Sequence, residues 1–333
     1  MPRYRYSIEV YPDEASASGW SIGLDKPDFQ PAVEWIQFEA LRAGHLPTSG
    51  TCVVEPVLVD GGPTFSEIKI EVPIGDGATF SGAIPFTYFS SVARRYRAAL
   101  VKTGKLADGE PCSWAMAAWR SEEREGIESE RQVAELLVKV EADSVEALLS
   151  RAKLSGPDNG SNFFKVFVPQ DVLDETASMA KAAAPLECGG VLVGRLARDA
   201  ASGELVEIVS AFVPALRAAA SETELRFTPE AWNSVRAAVK LRARNEIWAG
   251  WFHSHTPLSW QDKCGRCPAE KQRSCSLATN FFSEQDRNLH RLFPAFGIGL
   301  VANVLADGVV HSCFGWRLGT IESRPFYILE NAL

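Results

Sequence analysis

The segment Glu246-Ile-Trp-Ala-Gly-Trp-Phe-His253-Ser-His255 constrains this chain more than any other, because an apolar run of strand length ends by delivering two histidines. In extended backbone, successive side chains point to opposite faces, so His253 and His255 share one face and Ser254 takes the other. Both imidazoles can then reach one ion. With five histidines in 333 residues, chance supplies about 0.08 His-x-His pairs, so the pair needs support from its surroundings. Ser283-Glu-Gln-Asp286, which opens the next helix-like run, provides it. A catalytic zinc takes three protein ligands and keeps a further position for water, whose pKa it lowers toward neutrality. Asp286 is the expected third ligand. Ser283 and Asp286 are three residues apart and fall on one face of the expected helix.

Glu187 in Leu-Glu187-Cys-Gly189-Gly-Val-Leu-Val-Gly194, then His253-Ser254-His255, then Ser283-x-x-Asp286, together resemble the signature of JAMM (MPN-plus, prokaryotic JAB type) zinc metalloproteases. The resemblance covers roughly residues 163–320. It implies hydrolysis of a peptide or isopeptide bond after the C-terminus of a ubiquitin-like protein. It also implies zinc held by His253, His255 and Asp286, with Glu187 as general base toward water and Ser283 as donor to the oxyanion. The family usually has about seven residues between the second histidine and the serine. Here there are 27 (283 − 255 − 1), so a segment of about 20 is inserted within 256–282. Asp262, inside the insert, is an alternative third ligand.

The insert carries Cys264-Gly-Arg-Cys267-Pro and then Cys275. A Cys-x-x-Cys pair lets two thiolates share one ion, and a third cysteine makes the start of a structural zinc site. His290, Asp262, Cys313 and His311 are open alternatives for its fourth ligand. A flexible loop with reduced thiols, or a redox pair, is the competing reading. Ser254 should hydrogen-bond backbone rather than react. A serine-hydrolase reading gets little support, because neither Ser254 nor Ser283 has a neighbouring base that is not already claimed by the metal.

A chain of this length suggests two domains. The expected fold is α/β of the α+β type. A JAMM/MPN-like mixed β-sheet flanked by helices spans 163–333, preceded by an α+β domain at 1–153 and a turn-rich linker at 154–162. Strands are expected at 4–10, 52–59, 66–72, 163–168, 189–193, 204–213, 246–255, 295–304 and 309–318. Helices are expected at 31–43, 89–101, 127–140, from 169 to about 184, and after Pro229, with the charge run 120–131 as a solvated helix face. The N-terminal domain reads as a substrate- or partner-binding module, or as a stabilising or oligomerising extension. His45, Cys52 and Cys112 read as structural.

The net charge of −8 argues against non-specific nucleic-acid binding. The first residues lack the apolar core of a signal peptide, and the apolar run at 296–306 is too short to span a bilayer. Seven cysteines, three of them clustered, fit reduced cytosolic thiols, so a cytoplasmic protein without membrane contact is expected. The expected partners are a ubiquitin-like protein or its conjugates, together with the activating and conjugating enzymes of the same pathway. Processing of a sulfur-carrier protein is the second enzymatic reading, and a non-catalytic MPN-like scaffold is the third.

Overall fold

The computed structural model describes residues 2–12, 19–59, 62–121, 127–136, 138–157, 163–216, 218–221, 225–256, 268–317 and 320–330. The chain divides into two compact units, Met1–Leu137 with Arg317–Thr320, and Val138–Trp316 with Ile321–Leu333. The sequence had suggested a boundary at 154–162. The division falls earlier because the strands Val140–Asp143 and Ala152–Ser155 pair with strands of the second unit.

Among the described residues, the first unit contains two four-stranded antiparallel sheets and the helices Lys26–Arg42 and Ser90–Lys102. Its core gathers Tyr6, Phe29, Phe65 and Phe89, with Phe29 against Tyr6 at 4.8 Å and against Phe89 at 5.3 Å. The first helix starts earlier than expected. The Asp28 carboxylate accepts the Asp25 N–H at 2.9 Å, which satisfies a donor at the helix start.

The helix expected at 127–140 is absent. That region forms the strands Ile127–Glu128 and Glu130–Val133, and the described part of the 120–131 charge run is likewise extended. The burial pattern explains the error: Ile127, Ser129 and Val133 are buried and Arg131 lies over the Phe29 ring at 4.9 Å, so every second residue points inward. That is a strand's period, which the density of charges obscured.

The second unit is built on a ten-stranded mixed sheet. Its centre runs Leu205–Pro214, Gly189–Asp199, Ile247–His255, Ile298–Leu305, Gly308–Arg317. The first three pair antiparallel, the histidine strand Ile247–His255 pairs parallel with Ile298–Leu305, and the last two form a hairpin closing at Leu305↔Gly308. The helix Gln170–Ala183 packs on strands Ile247–His255 and Ile298–Leu305, and the helix Pro229–Arg242 packs on Leu205–Pro214 and Gly189–Asp199. Val235 is buried in the latter interface, and Trp232 and Val239 pack against the same cluster, as their helical spacing requires.

One irregularity re-phases the histidine strand. Leu192 pairs with Gly250 and Val193 with Trp248, which leaves Ala249 as an extra residue in a β-bulge. Without it, Trp248 and Trp251 would face opposite ways. With it, both join the cluster that holds Val191, Val193 and Phe293. Gly250 makes the bulge possible: its φ is +148°, and a Cβ there would stand 2.0 Å from the Ile298 oxygen. Gly250→Ala should therefore destabilise the second unit by about 3 kcal/mol or more, from an unfavourable backbone conformation plus a clash with backbone. Thermal denaturation of the variant against wild type measures this, and an unchanged midpoint would refute it.

Among the described residues, no helix is long and apolar enough to cross a membrane.

Candidate metal centre

The histidine strand ends at His255, and its parallel neighbour continues alongside. His253 and His255 lie on one face and are both buried. Their Nε2 atoms turn toward each other at 2.9 Å. Asp286 reaches this pair from the helix Glu284–His290: its Oδ1 lies 3.2 Å from His253 Nε2 and its Oδ2 3.3 Å from His255 Nε2. Among the described residues, this is the one group of three His, Cys, Asp or Glu side chains with converging ligand atoms, all within 4.8 Å of one another.

The helix is started by the same residues that the sequence singled out. Ser283 Oγ accepts the Asp286 N–H at 3.1 Å, and Asp286 Oδ2 accepts the Ser283 N–H at 2.6 Å, a capping box closed by an aspartate. The box fixes the carboxylate at the head of the helix, where its negative charge is also favoured. A hydroxyl that accepts one hydrogen bond still has a proton to donate, so capping leaves the half-buried Ser283 a free donor direction. Burial by itself would raise the carboxyl pKa of Asp286, but the two imidazoles outweigh it and hold the group well below the usual carboxylate range.

Glu187 is buried just before the strand Gly189–Asp199. Gly189 pairs with His253, and Cys188 and Ser254 bond to each other through Ser254 N to Cys188 O, 2.8 Å, and Cys188 N to Ser254 Oγ, 2.9 Å. Continued one residue further, this antiparallel register sets Glu187 opposite His255, and opposed residues share a face. Ser254 uses its hydroxyl on backbone, away from the imidazoles, as its alternation requires.

The donor set fits a divalent metal, since two imidazole nitrogens and a carboxylate oxygen form one of the ligand sets that catalytic zinc takes. Among the described residues, Nδ1 of both His253 and His255 lacks a hydrogen-bond partner. The rings are instead held by packing: Trp251 lies on His253 with centroids 4.4 Å apart and planes at 13°, and Phe281 lies 5.4 Å from His255.

Residues 169–262 match the family described as prokaryotic homologs of the JAB domain. This chain carries a prokaryotic JAB domain. That family includes the JAMM metalloproteases, and the matched stretch contains Glu187, His253 and His255. It ends before Ser283 and Asp286, so Asp286 joins the two histidines by geometry and not by the family match. The chain also aligns with the solution structure of a protein from Desulfitobacterium hafniense at 20% identity, over 50% of this chain and 94% of that one, with a TM-score of 0.32. No curated protein matches it.

Cys264, Cys267 and Asp262 lie outside the described residues. Cys275 is described. It caps the short helix Ser276–Thr279 and packs with Ala278 and Leu305. Three of the fourth-ligand candidates are engaged elsewhere. His290 is fully buried, with Nδ1 accepting from the Trp251 indole at 2.9 Å, and His311 Nε2 lies 3.0 Å from Thr176 Oγ1. Cys313 is fully buried as a thiol, and burial pushes its pKa up to about 12. Trp251 is the residue of this site that the sequence reading missed. Its place two positions before His253 on one strand face was the available signal.

Proposed function

We propose that this protein is a zinc-dependent peptidase or isopeptidase that hydrolyses the bond after the C-terminus of a ubiquitin-like protein, in deconjugation or precursor processing. The observation that carries the reading is the convergence of His253, His255 and Asp286 on one buried point.

His253, His255 and Asp286 would hold the ion. A bound zinc supplies Lewis acidity, which lowers the pKa of water toward neutrality and polarises a carbonyl. Glu187 takes a proton from the attacking water as its oxygen bonds to the carbonyl carbon. It returns that proton to the nitrogen when the C–N bond breaks, so the products are a carboxylic acid and an amine. Ser283, with its remaining O–H, donates to the oxyanion that forms in between. No side chain becomes acylated. The substrate class rests on kinship with JAMM metalloproteases. The direct test is cleavage of a ubiquitin-like protein fused through its C-terminal Gly-Gly to a reporter, run with and without chelator. Cleavage that persists in chelator, or no cleavage of such fusions by zinc-loaded protein, would overturn the reading.

The insert adds a second element. Cys264, Cys267 and Cys275 would hold a structural zinc that orders the segment beside the cleft, where the substrate's extended tail must run. Cys264→Ser combined with Cys267→Ser should lower zinc content by about one equivalent and raise KM, with the catalytic ion retained. Elemental analysis of the double variant decides this, and full zinc content would reject the knuckle.

A further inference from the structure

The histidine strand and the Asp286 helix touch at two matched points. His253 Nε2 faces Asp286 Oδ1 at 3.2 Å, and the Trp251 indole N–H donates to His290 Nδ1 at 2.9 Å. Trp251 and His253 are two residues apart on a strand, a step of about 6.6–6.8 Å. Asp286 and His290 are four apart on a helix, a step of about one 5.4 Å turn on the same face. The two contacts are therefore parallel rungs between one strand and one helix, and His253, Trp251 and His290 are all fully buried.

The second rung has a defined chemistry. An indole N–H can only donate, so His290 Nδ1 must be the bare nitrogen and the proton resides on Nε2. Burial, aided by the Arg324 and Arg287 guanidiniums, pushes the His290 pKa down to about 3, which keeps this neutral form at working pH. Gly299, opposite Trp251 on the neighbouring parallel strand, leaves room for this contact: a Cβ there would stand 3.1 Å from Phe282 Cζ and 3.4 Å from His290 Nδ1. The same Trp251 ring that makes the rung lies flat on the His253 imidazole.

Ligand imidazoles usually gain their orientation from a hydrogen bond at the far ring nitrogen. Neither His253 nor His255 has one among the described residues. Something else must fix where the strand's two nitrogens stand relative to the helix's carboxylate. We propose that the Trp251–His290 hydrogen bond is a positioning clamp for the metal centre, fixing the separation between the strand bearing His253 and His255 and the helix bearing Asp286 and thereby setting metal affinity. The clamp rests on the metal-site reading given above. Trp251 and His290 are positioning residues, since neither touches the ion or the substrate.

The test is zinc affinity of the intact chain by competition with a chromophoric chelator, with the cobalt(II) absorption spectrum as a report on coordination geometry. Trp251→Phe keeps an aromatic ring on His253 and deletes the donor, and His290→Leu deletes the acceptor. Each should weaken zinc binding by on the order of tenfold and alter the cobalt spectrum. His290→Asn is the discriminating variant. Its Oδ1 stands as many bonds from the backbone as His Nδ1, so it should retain affinity within about threefold, whereas His290→Gln places its acceptor one bond further out and should bind less well. The double variant Trp251→Phe with His290→Leu should lose no more than the weaker single, because one bond is removed once. Wild-type affinity in Trp251→Phe, or equal losses in His290→Asn and His290→Leu, overturns the clamp. Should His290→Leu fail to fold, Trp251→Phe and His290→Asn decide alone. A wild-type chain that binds no zinc overturns the metal-site reading itself, and so the two failures are told apart.

Discussion

Glu187→Gln is expected to leave zinc content unchanged while cleavage of a ubiquitin-like fusion falls by on the order of a hundredfold or more, equivalent to about 3 kcal/mol of transition-state stabilisation. The amide keeps the shape of the side chain and loses the ability to take and return a proton. Because Glu187 is not one of the three converging side chains, His253, His255 and Asp286, those three are expected to stay in place. Paired elemental analysis and initial-rate measurements check both halves. A Gln variant that cuts at the wild-type rate removes Glu187 from the mechanism. A variant that loses its zinc would make Glu187 a ligand and require the site to be redrawn.

The second large effect concerns the ligands. His253→Ala and Asp286→Ala should each lose about one equivalent of zinc and all measurable cleavage. Asp286→Ala should cost more than its metal, because the same carboxylate accepts the Ser283 N–H at 2.6 Å and closes the helix cap. Losing a cap typically costs about 1 kcal/mol. Asp286→Asn separates the two roles: its amide oxygen can still accept from Ser283 while the charge is gone, so in excess chelator it should melt above the alanine variant as zinc binding weakens. Thermal denaturation with excess chelator, set beside metal content, resolves this. If the alanine and asparagine variants melt together in chelator, the cap contributes nothing. If either Asp286 variant keeps full zinc, Asp262 or another group is the third ligand.

Much of the second unit could be read from sequence because its logic is local. Alternation along Phe252-His253-Ser254-His255 fixed which side chains share a face, and Ser283-x-x-Asp286 marked a helix start; both hold in the structure. The bulge at Ala249 could not be read this way. A bulge exists only relative to its partner strand, here Leu192 and Val193, and nothing in the order of residues 247–251 says which one will be left unpaired. The clamp was hidden for a similar reason, since Trp251 and His290 are 39 positions apart and meet only when the crossover folds back. In the first unit the misreading at 127–140 came from weighing charge density above period. Ile127, Ser129, Arg131 and Val133 alternate inward, while Glu128, Glu130 and Gln132 between them take the other face.

The histidine strand runs parallel to Ile298–Leu305, so the chain must travel back along the sheet between them, and the helix bearing Asp286 rides on that return path. His255 stands at the departure point of this crossover and Ser283 at the entry to its helix. Any extra length between them is added to a connection that is obligatory in any case. The entropy of closing a flexible connection grows only with the logarithm of its length, so lengthening it from about seven residues to 27 costs about 1 kcal/mol. An ion shared by His253, His255 and Asp286 would staple the two ends of that connection and offset the penalty. With that ion bound, this crossover would accommodate new chain at less cost than a connection whose ends no ion joins.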